Sequence, residues 1–244
     1  MPAPVAVMTR LSVLPIDHVD LTFVPRAWPF ADQRRADIDA NFAALRMKTP
    51  ELWNGRVLLL HEWELTERCL RGAFFETDYA SFIAWRDWGF PDAAAMNCFG
   101  QGALCAADKA FILGLMASHT ANAGRIYFPC GTPEPQDVVG DKVDLDANVM
   151  REVAEETGLG PDDYEPEPGW HAMLTGSRIA LVKMLQLPER ADAVRDRILR
   201  HLARETMPEL ADVRIARGPA DLTPVMPEFV TAFLRHAWMK DAGR

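Results

Sequence analysis

Apolar positions recur along this chain with two periods, one suited to strands and one to helices. Residues 5–14 and 19–24 are apolar and β-branched, which predicts two strands separated by Pro15 and Asp17. Over 30–47, Ile38, Phe42 and Leu45 fall at helical spacing while Arg34, Arg35, Asp37 and Asp39 fill the other face, predicting a helix closed by Pro50. An Asn54-Gly55 turn then opens a strand at 57–65, with 70–76 as its partner and a helix over 79–88 stopped by Gly89 and Pro91. A second block starts near Asn97. Residues 103–107 and 111–116 predict a hairpin around Asp108-Lys109, and 125–128 a short strand. Another hairpin is expected from 170–175 and 178–187 through Gly176. Helices are expected over 189–205, where Val194, Ile198 and Leu202 recur every four residues, and over 227–240, with Phe229, Phe233 and Ala237 on one face. A short strand at 213–216 lies between them.

Strands and helices alternate without the regular rhythm of a parallel βαβ sheet, so the expected class is α/β with a mixed sheet covered by helices on both sides. The Pro- and Gly-rich stretch 89–102 divides the chain into an N-terminal α/β extension, 1–96, packed on a main domain, 97–244. A length of 244 residues suits one large domain or one domain with such an extension.

Composition narrows the function classes. Hydrophobic residues make up 49% and charged residues 25%, as in ordinary globular proteins. No stretch approaches the roughly 20 uncharged apolar residues of a membrane span; the best, 102–118, is broken by Asp108 and Lys109. The start of the chain lacks a basic, then apolar, secretory pattern, so a cytoplasmic protein is expected. The net charge of −9 argues against a general nucleic-acid binder. It leaves room for a small phosphate-bearing substrate if a divalent cation carries the positive charge. Cys69, Cys98, Cys105 and Cys130 are scattered and read as buried free thiols, and the six histidines form no ligand pattern.

The chemistry concentrates in Arg151-Glu152-Val153-Ala154-Glu155-Glu156-Thr157-Gly158-Leu159. Asp144 is a good helix N-cap, Leu145, Val149 and Val153 form an apolar stripe, and Gly158 is placed to end the helix in a left-handed conformation. Glu152, Glu155 and Glu156 then share one face, where they repel one another by a few tenths of a kcal/mol per pair. A divalent cation with hard oxygen ligands, Mg²⁺ or Mn²⁺, relieves that repulsion.

This string resembles the Nudix box, G-x5-E-x7-R-E-U-x-E-E-x-G-U with U a bulky apolar residue, and matches its second half at every specified position. Upstream, Pro129-Cys130-Gly131-Thr132-Pro133-Glu134-Pro135 looks like the loop that opens the box, with Gly131 as its first glycine and Asp137 where the family has a glutamate. Fourteen positions separate Asp137 from Arg151 where the pattern has eight, an insertion of six that falls within 138–144. The resemblance implies a Nudix-type α/β/α sandwich. It implies Glu152 and Glu156 as principal metal ligands, Glu155 as a further or water-mediated ligand, and the Cys130 backbone carbonyl completing the shell. By the same resemblance Arg151 orients a glutamate, and Glu152 or a later-loop glutamate accepts a proton from water. Glu205 and Glu209 are candidates for that later residue, although ordinary helix-end and loop carboxylates are the simpler reading of both.

The Pro-Glu-Pro-Gln loop, the lengthened box and the N-terminal region together are similar to the Nudix subfamily of UDP-glucose and UDP-galactose hydrolases, which implies UMP and a sugar 1-phosphate as products. ADP-ribose and coenzyme A derivatives, and a ligand-sensing module without catalysis, stay open as alternatives. So does a homodimer. Trp28, Trp53, Trp63, Trp85, Trp88 and Phe99 could each stack on a base, but aromatic residues in so apolar a chain are more often core.

Overall fold

The structure, a computed structural model, describes residues 11–242. Most of the strand expected at 5–14 therefore lies outside the described residues. In chain order the principal elements are β1 (Val13–Ile16), β2 (His18–Phe23), α1 (Pro29–Gln33), α2 (Arg35–Lys48), β3 (Arg56–Thr66), β4 (Cys69–Asp78), α3 (Tyr79–Asp87), β5 (Asn97–Cys105), β6 (Phe111–Met116), β7 (Ile126–Tyr127), β8 (Cys130–Gly131), β9 (Val138–Val139), β10 (Lys142–Val143), α4 (Leu145–Thr157), β11 (Glu165–Pro166), β12 (Trp170–Thr175), β13 (Arg178–Gln186), α5 (Ala191–Leu202), β14 (Leu210–Ala216) and α6 (Glu228–Ala242).

These strands form two mixed sheets. The larger runs β1-β12-β13-β5-β6-β14, and β13 lies parallel to β5 from Arg178↔Asn97 to Gln186↔Cys105. The smaller runs β3-β4-β2-β10-β9, with β2 parallel to β4. Every residue of β5 is buried, which marks it as the central strand. Alternate residues of a strand face opposite sides. On one side, Gly100 and Gly102 lie against Val149 and Val153 of α4. On the other, Phe99 meets Phe229 of α6, ring centroids 5.6 Å apart. The large sheet is thus sandwiched between helices, the α/β/α arrangement expected.

Three local expectations change. The helix over 30–47 divides at Arg34, whose φ of −109° and ψ of 15° end α1 and begin α2. Its side chain there pairs with Asp37 at 2.8 Å and lies over the Trp88 ring. Pro15, expected to separate strands, sits inside β1; an edge strand tolerates proline because its outer side has no ladder to donate to. Of the four cysteines, Cys98 and Cys105 are buried but Cys69 and Cys130 only half-buried.

The insertion also has a form. Residues 138–143 fold as the β9–β10 hairpin, and the Asp144 amide donates to the Asp137 carbonyl at 2.8 Å, so the hairpin leaves and rejoins the chain at one point. No described helix is long and apolar enough to cross a membrane.

Candidate active site

Helix α4 is built as its sequence dictates. The Asp144 side chain accepts from the Ala147 amide at 2.9 Å, and Gly158 ends the helix at φ 71°, ψ 11°. Leu145, Val149 and Val153 are fully buried against β5, which fixes the rotation of the helix. That rotation turns Glu152 and Glu156 toward the loop 129–131. The Cys130 amide donates to Glu156 Oε1 at 3.0 Å. Gly131, paired with Gly100, passes so close to Glu152 that any β-carbon would enter its carboxylate. The glycine is required here for close approach rather than for an unusual backbone angle.

Arg151 holds the acidic groups in place. It contacts Glu152 at 2.8 Å, Glu155 at 3.2 Å and Asp137 at 3.2 Å. Asp137 is buried, accepts from the Glu134 amide and from Asn148 Nδ2, and so anchors the loop and the arginine together. Glu155, 60% exposed, points outward.

Negative charge here exceeds what one guanidinium neutralises. Burial, outweighing Arg151 and aided by Glu155, Glu209 and Glu134, raises the Glu152 carboxyl to about 7. Burial, with Glu209, Glu152 and Glu155, pushes Glu156 well above the ordinary carboxylate range despite the Cys130 amide. Glu209 is exposed at the rim, yet enclosure by the surrounding walls and then the charge of Glu155 raise it as well. Glu205 instead lies 3.0 Å from His201.

As the side chains stand, no group of three acidic, cysteine or histidine residues among those described encloses an ion. Their chemistry nonetheless fits a hard divalent cation. Glu156 is 4% exposed, and its Oε2 is buried with no hydrogen-bond partner. A buried carboxylate in that state holds a proton or a cation.

Glu152 and Glu209 border a cleft of about 1070 Å³ that Cys130 and Gly131 also line, with Trp53, Tyr79 and Arg86 contributed by the small-sheet side. Of the six aromatics considered for base stacking, Trp53 and Phe99 line it. Trp28 and Trp85 are core residues, 5% and 0% exposed. Sequence reasoning passed over Asn97, Arg86 and Arg178, which line the same cleft. The available signal was Asn97, a polar residue opening a strand whose one other polar side chain is Gln101.

No protein-family model matches this chain, and no curated protein matches it. Among solved structures it is similar to a MutT protein from Methanosarcina mazei, at 15% identity and a TM-score of 0.41 over 60% of this chain and 95% of that one. It is also similar to an Ap4A hydrolase of C. elegans, at 13% identity and 0.42, covering 60% and 99%. A third is a Nudix hydrolase from M. smegmatis, at 15% identity and 0.38, covering 59% and 84%.

Proposed function

We propose that this protein is a Nudix-type hydrolase that uses Mg²⁺ or Mn²⁺ to cleave the phosphoanhydride bond of a nucleoside diphosphate derivative. The observation that carries the proposal is the buried, partnerless Glu156 oxygen beside Glu152, on a helix that matches the second half of the box. Glu152 and Glu156 would hold the cation, with the Cys130 carbonyl as a further donor, while Glu155, which points outward, would reach it through water. A bound cation supplies positive charge against the diphosphate and lowers the pKa of an attacking water.

The chain's own groups do the rest. Arg151 fixes the Glu152 carboxylate, and Asp137 fixes Arg151. Asp137 therefore serves as a structural anchor in the position of the first box glutamate. Glu152, its carboxyl raised to about 7, suits a group that accepts a proton from water near neutral pH, and Glu209, its proton affinity also raised by burial, borders the same cleft. If Glu152 is engaged by the cation, Glu209 takes that role.

A UDP-sugar is the substrate we favour. Support comes from the Pro-Glu-Pro-Gln loop and from a cleft large enough for a nucleotide with a second moiety. The loop is docked on the small sheet, with the Leu58 amide donating to the Pro133 carbonyl at 2.7 Å. The test is Mg²⁺-dependent release of nucleoside monophosphate from UDP-glucose, UDP-galactose, ADP-ribose and coenzyme A, by the parent and by Glu156→Gln. We expect UDP-sugars to be turned over fastest, and the substitution to lower kcat by at least about 100-fold. Tight binding without turnover would instead identify a sensor, and turnover indifferent to Glu156→Gln would remove the assigned ligand.

A further inference from the structure

The cleft has a second pole. Gly131, against the Glu152 carboxylate, pairs with Gly100 of β5. Three residues along the same strand, roughly 10 Å at a rise of about 3.3 Å per residue, Asn97 stands in register with Arg178 of β13. Asn97, Arg178 and Arg86 of α3 all line the cleft.

Two of the three, Asn97 and Arg178, are not fully partnered by the protein. Asn97 is 7% exposed, and its Oδ1 has no hydrogen-bond partner. Arg178 is half-buried and has no carboxylate partner among the described residues. Its guanidinium lies over the Phe90 ring, 4.7 Å from the centroid. That ring is held by Trp85, edge-on at 4.7 Å, and by a backbone in the left-handed region at φ 60° directly after Gly89 at φ 82°. A bulky residue adopts such a φ only where its surroundings impose it. Arg86 has its own counter-ion, Asp87, at 2.8 Å. Burial and then the like charge of Arg86 push the Arg178 guanidinium below its ordinary range. A sequestered cation with a cation for neighbour is unfavourable unless something else supplies negative charge.

We infer that Arg178, with Arg86, binds an anionic group, a carboxylate or a phosphate, carried by the substrate moiety beyond the scissile diphosphate, and that Asn97 Oδ1 accepts a hydrogen bond from a hydroxyl or N–H of that moiety. This rests on the hydrolase reading of the cleft and refines it. A neutral hexose leaves Arg178 without a counter-charge, whereas a uronic acid sugar or a nucleotide with an extra phosphate supplies one. A guanidinium–anion pair of this kind is fixed in geometry and stronger than a neutral hydrogen bond.

Two matched pairs separate the sources: UDP-glucose against UDP-glucuronate for the carboxylate, and ADP-ribose against ADP-ribose bearing an additional ribose phosphate for the phosphate. The measurement is the ratio of kcat/KM for the anionic and neutral member of each pair, in the parent, Arg178→Gln and Arg178→Lys. We expect one pair to favour the anionic member by about tenfold or more, and Arg178→Gln to reduce that ratio about 10- to 100-fold through KM, with Arg178→Lys between them. Absence of an anionic preference in both pairs, or equal loss on both members, overturns the inference. Should no compound be hydrolysed, the hydrolase reading fails by itself. Calorimetric binding of the same pairs then decides the second pole: anion-selective binding lost in Arg178→Gln supports it, and equal binding refutes it. An Arg178→Gln chain that does not fold leaves the parent's ratios and the Arg178→Lys chain to decide.

Discussion

In metal-free protein the Glu152 carboxylate should destabilise the fold at alkaline pH, and its removal should be stabilising. The side chain is 13% exposed, so water screens it little, and burial raises its carboxyl from an ordinary 4.5 to about 7. Below pH 4.5 it is protonated in both the folded and unfolded chain and contributes nothing. Between 4.5 and about 7 the folded chain holds the proton and the unfolded chain releases it, so stability declines as pH rises. Above about 7 the whole difference is expressed, about 3 kcal/mol at 1.36 kcal/mol per pKa unit. Glu152→Gln keeps the shape and removes the charge, while Arg151 retains Asp137 and Glu155. With chelator present we expect the variant to be about 1–3 kcal/mol more stable than the parent near pH 8, a rise in Tm of about 2–12 °C for a chain of this size. Near pH 5 the difference should shrink toward zero. Urea titrations at both values measure it directly. Added Mg²⁺ should reverse the order at the higher pH, because the parent gains a bound cation and the variant loses a ligand. A variant that is no more stable than the parent at the higher pH, or an offset independent of pH, would refute the claim that this carboxylate is desolvated and strained for want of a cation.

Two further substitutions test the packing that positions the site. Gly131→Ala should displace the Glu152 carboxylate and lower Mg²⁺-dependent kcat about 100-fold while leaving most of the stability, as read by steady-state kinetics beside a melting curve. Gly102→Ala would bring a β-carbon to 2.5 Å of Val153 Cγ2 and 2.9 Å of Leu185 Cδ1, so a loss of about 1–3 kcal/mol in urea unfolding is expected.

Much of this could be read from the chain because local signals and tertiary demands agree. The Asp144 cap, the stripe Leu145, Val149, Val153 and the terminal Gly158 set the length and rotation of α4, and hence the neighbourhood of Glu152 and Glu156. Residues whose role depends on distant partners were not legible. Asn97 and Arg178 are 81 positions apart and meet only through the parallel β13–β5 pairing, which no local period encodes. Glu209 lines the cleft with Glu152 while Glu205 pairs with His201, a distinction fixed by the path of the chain into β14. The break at Arg34 was invisible for a similar reason, since its ring partner Trp88 belongs to a different part of the chain.

The lengthened box shows why spacing in a motif is weaker information than geometry. Six extra residues ought to separate Asp137 from the helix that carries Arg151, yet the two remain 3.2 Å apart. The hydrogen bond from Asp144 to Asp137 closes the insertion into a self-contained hairpin, so the chain enters and leaves it without moving the box. The hairpin in turn adds β10 to the small sheet: Lys142 pairs with Thr22, the Phe23 amide donates to the Asp141 carbonyl at 2.8 Å, and Lys142 Nζ lies 2.7 Å from Asp20. With the Leu58–Pro133 bond, the small sheet is tied to the box loop on both sides of Asp137 by backbone hydrogen bonds, each worth about 1 kcal/mol net. Trp53, Tyr79 and Arg86 belong to that half of the molecule and form one wall of the cleft. A wall attached to the loop by these bonds keeps a set distance from it. A lid swinging on a flexible linker would have no use for such pairing.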